Sequence, residues 1–106
     1  MKYVLGVAGL LAASVAMADI PRFDVEAHCK EVSEFGGSSN MVYNGCIRTE
    51  QTSYRELQNV WAEVPTRTRN HCLEIAQFGG ASYQILHGCI QMEIDAAERP
   101  ATFSFD

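Results

Sequence analysis

Beginning at Val25, apolar residues return at the spacing of an α-helix. With a step of about 100° per residue, Val25, His28, Val32 and Phe35 fall within about 120° on one side of Cys29, while Lys30 and Glu34 point away. Asp24 is placed to accept from the first free N–H groups, and Gly36-Gly37 after Phe35 supplies a left-handed end. A second helix is predicted from Ser38 or Ser39 to about Glu63, where Val64-Pro65 stops it. Its stripe is Val42, Tyr43, Cys46, Ile47, Tyr54, Leu57, Val60 and Trp61. The plan then recurs, with a helix from about Thr66 to Phe78, a Gly79-Gly80 turn, and a helix from about Ser82 to Glu98 closed by Pro100.

That recurrence is written in the residues themselves. The block HCKEVSEFGGSSNMVYNGCIRTE at 28–50 returns without a gap as HCLEIAQFGGASYQILHGCIQME at 71–93, with eleven of twenty-three positions identical. All four cysteines lie inside the block, so one cysteine-stapled unit is built twice. The midpoints of Cys29/Cys46 and Cys72/Cys89 are 37.5 and 80.5, both inside the Gly-Gly-(Ser/Ala)-Ser turn. Antiparallel helices folded about that turn bring each pair to the same height, which predicts the bridges Cys29–Cys46 and Cys72–Cys89. Gly45 and Gly88, each beside a cysteine, are expected to let the backbones approach to the separation of about 7 Å or less that a disulfide needs. The expected fold is all-α: two tandem disulfide-stapled antiparallel hairpins forming a pseudo-twofold four-helix unit. In general design this resembles the twin-cysteine helical hairpins of the mitochondrial intermembrane space. The likeness is architectural, because those hairpins have short cysteine spacings and two bridges each, and it implies no activity.

The N-terminus reads as an export signal. Lys2 supplies a positive charge, Val4 to Met17 form an apolar run, and Ala16-Met17-Ala18 is a cleavage site, so residues 1–18 are expected to be removed and Asp19 to become the first residue. The run is too short to span a bilayer, and no cysteine follows it to carry a lipid. A bacterial periplasmic or secreted protein is the expectation, with no membrane insertion after cleavage near Ala18. Residues 19–106 then form one small helical domain, with repeat 1 at about 24–64, repeat 2 at about 66–99 and a C-terminal tail at 100–106. Without Lys2 the formal charge moves from −5 to −6. An acidic chain with no basic cluster disfavours nucleic acid and anionic lipid as partners.

Glu50 and Glu93 are the polar residues most in need of a reason. Each lies four residues after a cysteine in an otherwise apolar seam, where a buried carboxylate is costly unless satisfied. Reflected about the turns they face Val25 and Thr68, so each is expected to cap the start of the preceding helix. His28 and His71 sit at the edge of the apolar face, where a hydrogen bond to a carboxylate or carbonyl is the ordinary outcome. The sharper alternative joins His28, Glu50, His71 and Glu93 into a metal site between the hairpins, a donor set suited to zinc, iron or manganese. Asp24 and Glu26 become Arg67 and Arg69 in the second copy, a reversal expected either to pair the repeats or to form separate solvated patches. The overhang bearing Tyr54, Leu57, Val60 and Trp61 is expected to pack on the second hairpin. Tyr54 and Trp61, if exposed, and Phe103 and Phe105 of the tail are the candidate partner-binding residues.

No nucleophile elbow, metalloprotease helix, phosphate-binding loop, haem-attachment sequence or C-x-x-C pair occurs in the sequence. No catalytic residue and no cofactor is assigned. The leading expectation is an exported, non-catalytic helical scaffold that binds another envelope or extracellular protein. The alternatives are a small metal-binding protein using the paired histidines and glutamates, and an envelope hydrolase using Glu50 or Glu93 as acid or base.

Overall fold

A computed structural model describes residues 19–106; the expected signal segment, residues 1–18, lies outside the described residues. Four α-helices follow in order: α1 (Val25–Glu34), α2 (Asn40–Val60), α3 (Thr66–Phe78) and α4 (Tyr83–Glu98), with a 3₁₀ turn at Trp61–Glu63 after α2. There is no strand among the described residues. Local chemistry explains the ends. Asp24 accepts from the Ala27 N–H, Ser39 from the Val42 N–H and Ser82 from the Ile85 N–H, each closing one of the donors that a helix start leaves open. The stop after α2 comes from Val64-Pro65, since proline disfavours helical backbone in the residue before it.

Both predicted bridges are present. Cys29–Cys46 ties α1 to α2 with Cα atoms 5.5 Å apart, and Cys72–Cys89 ties α3 to α4 at 5.6 Å. The glycines beside them do not serve the purpose expected of them. A methyl group built on Gly45 or Gly88 meets no atom within 4 Å, so neither is required by a close approach of backbones. The turns also differ between copies. Gly36 and Gly37 take the left-handed conformation in the first, whereas in the second it is Gly80 and Ala81, with the Ala81 N–H donating to the Ala76 carbonyl. Gly79 is constrained instead by packing, because a Cβ there would lie 2.8 Å from Ile85 Cδ1.

Among the described residues, the close backbone approach between helices of the two hairpins is that of α2 on α4. The overhang of α2 lies on the second hairpin as expected. Leu57, Trp61 and Val64 join Cys72, Ala76, Tyr83, Leu86, Cys89 and Ile90 in one buried cluster, which Ile20 closes from the N-terminal segment. Helix α1 contributes no buried residue to that cluster; only Val25 packs against it, partly covered. The core is therefore the second hairpin plus the end of α2, and the first hairpin leans on it from one side.

The apolar face predicted for α1 is only half used. Cys29 and Ser33 are buried, whereas Val32 is exposed and Phe35 is 89% exposed. Phe78, the equivalent residue of α3, is 96% exposed. Both lie past the disulfide at the turn, where no other helix covers the hairpin.

Candidate functional site

Four residues beyond Cys46, on the face of α2 that meets the second hairpin, Glu50 is only 2% exposed. One carboxylate oxygen, Oε1, accepts the Tyr83 N–H at 2.6 Å, and the other, Oε2, accepts the Ser82 hydroxyl at 2.5 Å. Ser82 Oγ in turn accepts the Ile85 N–H at 3.3 Å. Glu50 therefore does hold a helix start, but that of α4 in the other hairpin, not that of α1 in its own. The physical basis is the one anticipated: open backbone donors and the positive end of a helix dipole satisfy a carboxylate removed from water. The reflection about the turn named the wrong helix because it places residues within one hairpin, whereas both donors to Glu50 come from the other.

His28 stands on the far side of this carboxylate, with Nε2 at 4.0 Å from Glu50 Oε2. Its ring also reaches the second hairpin's turn, where a Cβ on Gly80 would come within 3.2 Å of His28 Nδ1. Gly80 thus answers two demands at once, a φ of +101° and room for the imidazole. Tyr83, the first residue of α4, completes the junction. Its hydroxyl donates to the Pro21 carbonyl at 2.6 Å and accepts the Phe23 N–H at 2.8 Å. Its ring stacks on Phe23 with centroids 4.6 Å apart and meets Tyr54 at 4.8 Å. Burial raises the pKa of the Tyr83 phenol above its ordinary 10.0, partly opposed by the hydrogen bond from Phe23. A cleft of about 330 Å³ opens beside the junction, lined by Arg22, Phe23, Glu26, Glu50, Tyr54 and Tyr83 among others.

The equivalent junction in the second copy is absent. Glu93 is 48% exposed along its side chain and stands 3.7 Å from a similarly exposed His71. The structure thus brings His28 to Glu50 and His71 to Glu93, each within its own hairpin, and does not unite the four. Among the described residues no three histidine, cysteine, aspartate or glutamate side chains are grouped so as to hold a metal ion. Chemically, Glu50 is an acceptor engaged at both oxygens and Glu93 is a solvated carboxylate.

The charge-reversed positions also fail to meet, since no ion pair joins Asp24 or Glu26 to Arg67 or Arg69 among the described residues. Arg69 instead donates to the Trp61 carbonyl at 2.7 Å with its guanidinium 5.0 Å from the Trp61 ring. An unanticipated pair does cross between hairpins: His87 of α4 lies 3.4 Å from Glu56 of α2. His87 replaces Asn44 of the first copy, and nothing in the repeat pattern marks it.

Of the four candidate binding residues, one is absorbed into the core and one lies partly covered at its edge. Trp61 is buried, and Tyr54 is half-buried against Tyr83 with its remaining surface on the cleft beside the junction. Phe103 and Phe105 are exposed and pack edge-to-face on each other at 4.7 Å. Phe35 and Phe78 join them as exposed aromatics. Their signal in the sequence was identity between copies at a position directly before the Gly-Gly turn, where a helix end has few neighbours. Comparison with protein-family models, curated proteins and solved structures finds no match to this chain.

Proposed function

We propose that this chain is an exported, non-catalytic, disulfide-stapled helical scaffold that acts by binding another protein in the bacterial envelope or outside the cell. The observation that carries the reading is the pair Phe35 and Phe78. They occupy equivalent positions in a block built twice, and both are almost wholly in water. A phenylalanine so exposed contributes nothing to the core, and its recurrence at both tips gives the tips a common task outside the fold. Phe103 and Phe105 on the tail extend the same exposed aromatic surface.

Two observations support this compartment. Two disulfides in a small domain fit an oxidising environment, and among the described residues no helix is long and apolar enough to cross a membrane. Together with Lys2, the apolar run and Ala16-Met17-Ala18, this favours export with cleavage near Ala18.

Photo-crosslinking in the native cell tests the role. A benzoylphenylalanine placed at 35, 78, 103 or 105 should form discrete adducts with protein, and the same group at the exposed polar position Gln84 should not. Absence of a protein adduct from all four aromatic positions refutes the binding role.

A further inference from the structure

The two exposed phenylalanines share three helix positions, although Phe35 also has His28 and the other hairpin's turn beside it and Phe78 does not. Beside Phe35 a groove of about 410 Å³ is lined by His28, Glu31, Val32 and the backbone of Gly79 and Gly80. Around Phe78, Glu74, Ile75 and Gln77 form an open patch on the same turn of α3. Glu31 is the counterpart of Glu74, Val32 of Ile75, and Phe35 of Phe78. Each tip therefore presents a carboxylate, a β-branched residue and a phenylalanine at helix positions i, i+1 and i+4. Residues three and four apart share a helix face, so the apolar pair and the acid stand side by side.

None of these six side chains is buried, and all are exposed in both copies. Val32 and Ile75 are partly covered, but Phe35 and Phe78 stand almost wholly in water, so packing within the chain gives no reason for the recurrence of the phenylalanines. We propose that the two tips are equivalent docking sites for basic amphipathic segments of partner proteins. Each site takes an apolar side chain against Phe35 or Phe78 and a lysine or arginine at Glu31 or Glu74. The proposal rests on the binding role above and names the partner's chemistry. Charge complementarity selects that occupant. At the first tip Glu34 adds a second carboxylate and Lys30 is the one cation close by in sequence; at the second these positions are the neutral Gln77 and Leu73, so Glu74 stands alone, and the chain as a whole carries −5. A second copy would bring acid against acid, and an anionic membrane would be repelled.

Two sites on one domain also give a partner with two such segments the advantage of effective concentration, so loss of one tip should cost more than half of the binding to a bivalent target.

The test uses mature protein, residues 19–106 with both disulfides formed, and a fluorescent Leu/Lys amphipathic helical peptide as the probe. Two controls replace every Leu by Ser or every Lys by Glu. Calorimetry should find two peptides per chain, and anisotropy should show binding that weakens with salt. F35A/F78A should lower affinity at least about tenfold with an unchanged melting curve, because these side chains touch nothing in the core. The single variants should each leave one site, and E31Q/E74Q should flatten the salt dependence. Equal binding of the Ser/Lys peptide, equal binding of the Leu/Glu peptide, or loss of less than about twofold in F35A/F78A overturns the proposal. The two readings fail separately. Protein adducts from positions 35 and 78 without binding of the basic probe would leave a scaffold with another kind of partner, whereas no adducts from any aromatic position removes both.

Discussion

Glu50 and Glu93 are the same residue of the same repeat, yet one lies in the core between hairpins and the other in water. Had the hairpins packed about a twofold axis, Glu93 would meet Ser39 and Asn40 as Glu50 meets Ser82 and Tyr83. The contact is one-sided instead: the end of α2 in the first hairpin grips the start of α4 in the second. The sequence differences that permit this are local. Tyr83 stands where the first copy has Asn40, which gives α4 an aromatic start able to enter a core. Tyr54 and Leu57 have Ala97 and Pro100 as counterparts, so the second hairpin has no apolar overhang with which to return the grip. A repeated sequence fixes what each unit is made of, while unrepeated residues decide how the units meet.

The largest effects should be those in which the two copies behave alike. Each bridge closes a loop of the same length, with a sequence separation of 17, so Cys29→Ala/Cys46→Ala and Cys72→Ala/Cys89→Ala should each destabilise the fold by about 3 kcal/mol. Urea denaturation of the two double variants checks this. Non-reducing peptide maps should show only the two bridges within hairpins, and a bridge between hairpins would break the equivalence at its root.

The glutamates should then separate the copies. Replacing Glu50 by Ala removes a charged acceptor from the Ser82 hydroxyl and the Tyr83 N–H, both buried, and should cost about 1–3 kcal/mol, with Gln intermediate. Replacing Glu93 by Ala should change stability by less than about 0.5 kcal/mol, because its contact with His71 is solvated. Equal losses at both positions, measured under one set of denaturation conditions, would restore the twofold arrangement and refute the one-sided junction.

How far the sequence carried can be read at these same residues. The helix starts at Asp24, Ser39 and Ser82, the Gly-Gly turns and both bridges were all legible, because each depends on residues within one turn or one hairpin. That Glu50 binds a helix start was also legible from the physics of buried charge, but not which helix, since that is a contact across 33 residues. Phe35 misled for a related reason. Periodicity assigns a side of the helix, and whether that side is covered depends on a neighbour that ends before the turn. Trp61 and Tyr54 show the converse, where an overhang with no partner in its own hairpin found one in the next.

Tyr83 offers a gentler probe of the junction. Its phenol holds the N-terminal segment through Pro21 and Phe23, so Tyr83→Phe should cost about 1–2 kcal/mol at neutral pH. The sign of its alkaline behaviour is fixed by burial. The folded state holds the phenolic proton more tightly than the unfolded state, so this contribution is whole below pH 10.0 and is lost as pH rises from there through the folded pKa. Stability measured against pH should fall less steeply above that point in Tyr83→Phe. An unchanged alkaline slope would show that Tyr83 is not responsible for it, and Asn40→Ala at the equivalent solvent-facing position should have no such effect.

The smallest expected change returns the two copies to equality and has the opposite sign. Gly45 and Gly88 lie inside α2 and α4, where glycine disfavours helix relative to alanine by about 0.5–1 kcal/mol through lost backbone entropy. A Cβ at either position meets nothing within 4 Å, so the helix gains without any clash to offset it. Gly45→Ala and Gly88→Ala should each stabilise the protein by about 0.5–1 kcal/mol, with both disulfides still forming. Thermal melts of the oxidised single variants and peptide maps of the same samples check the two halves of this expectation. A loss of stability in either variant would mean that the backbones beside the cysteines do come closer than the structure has them, and the sequence reading of these glycines as spacers for the bridges would stand after all.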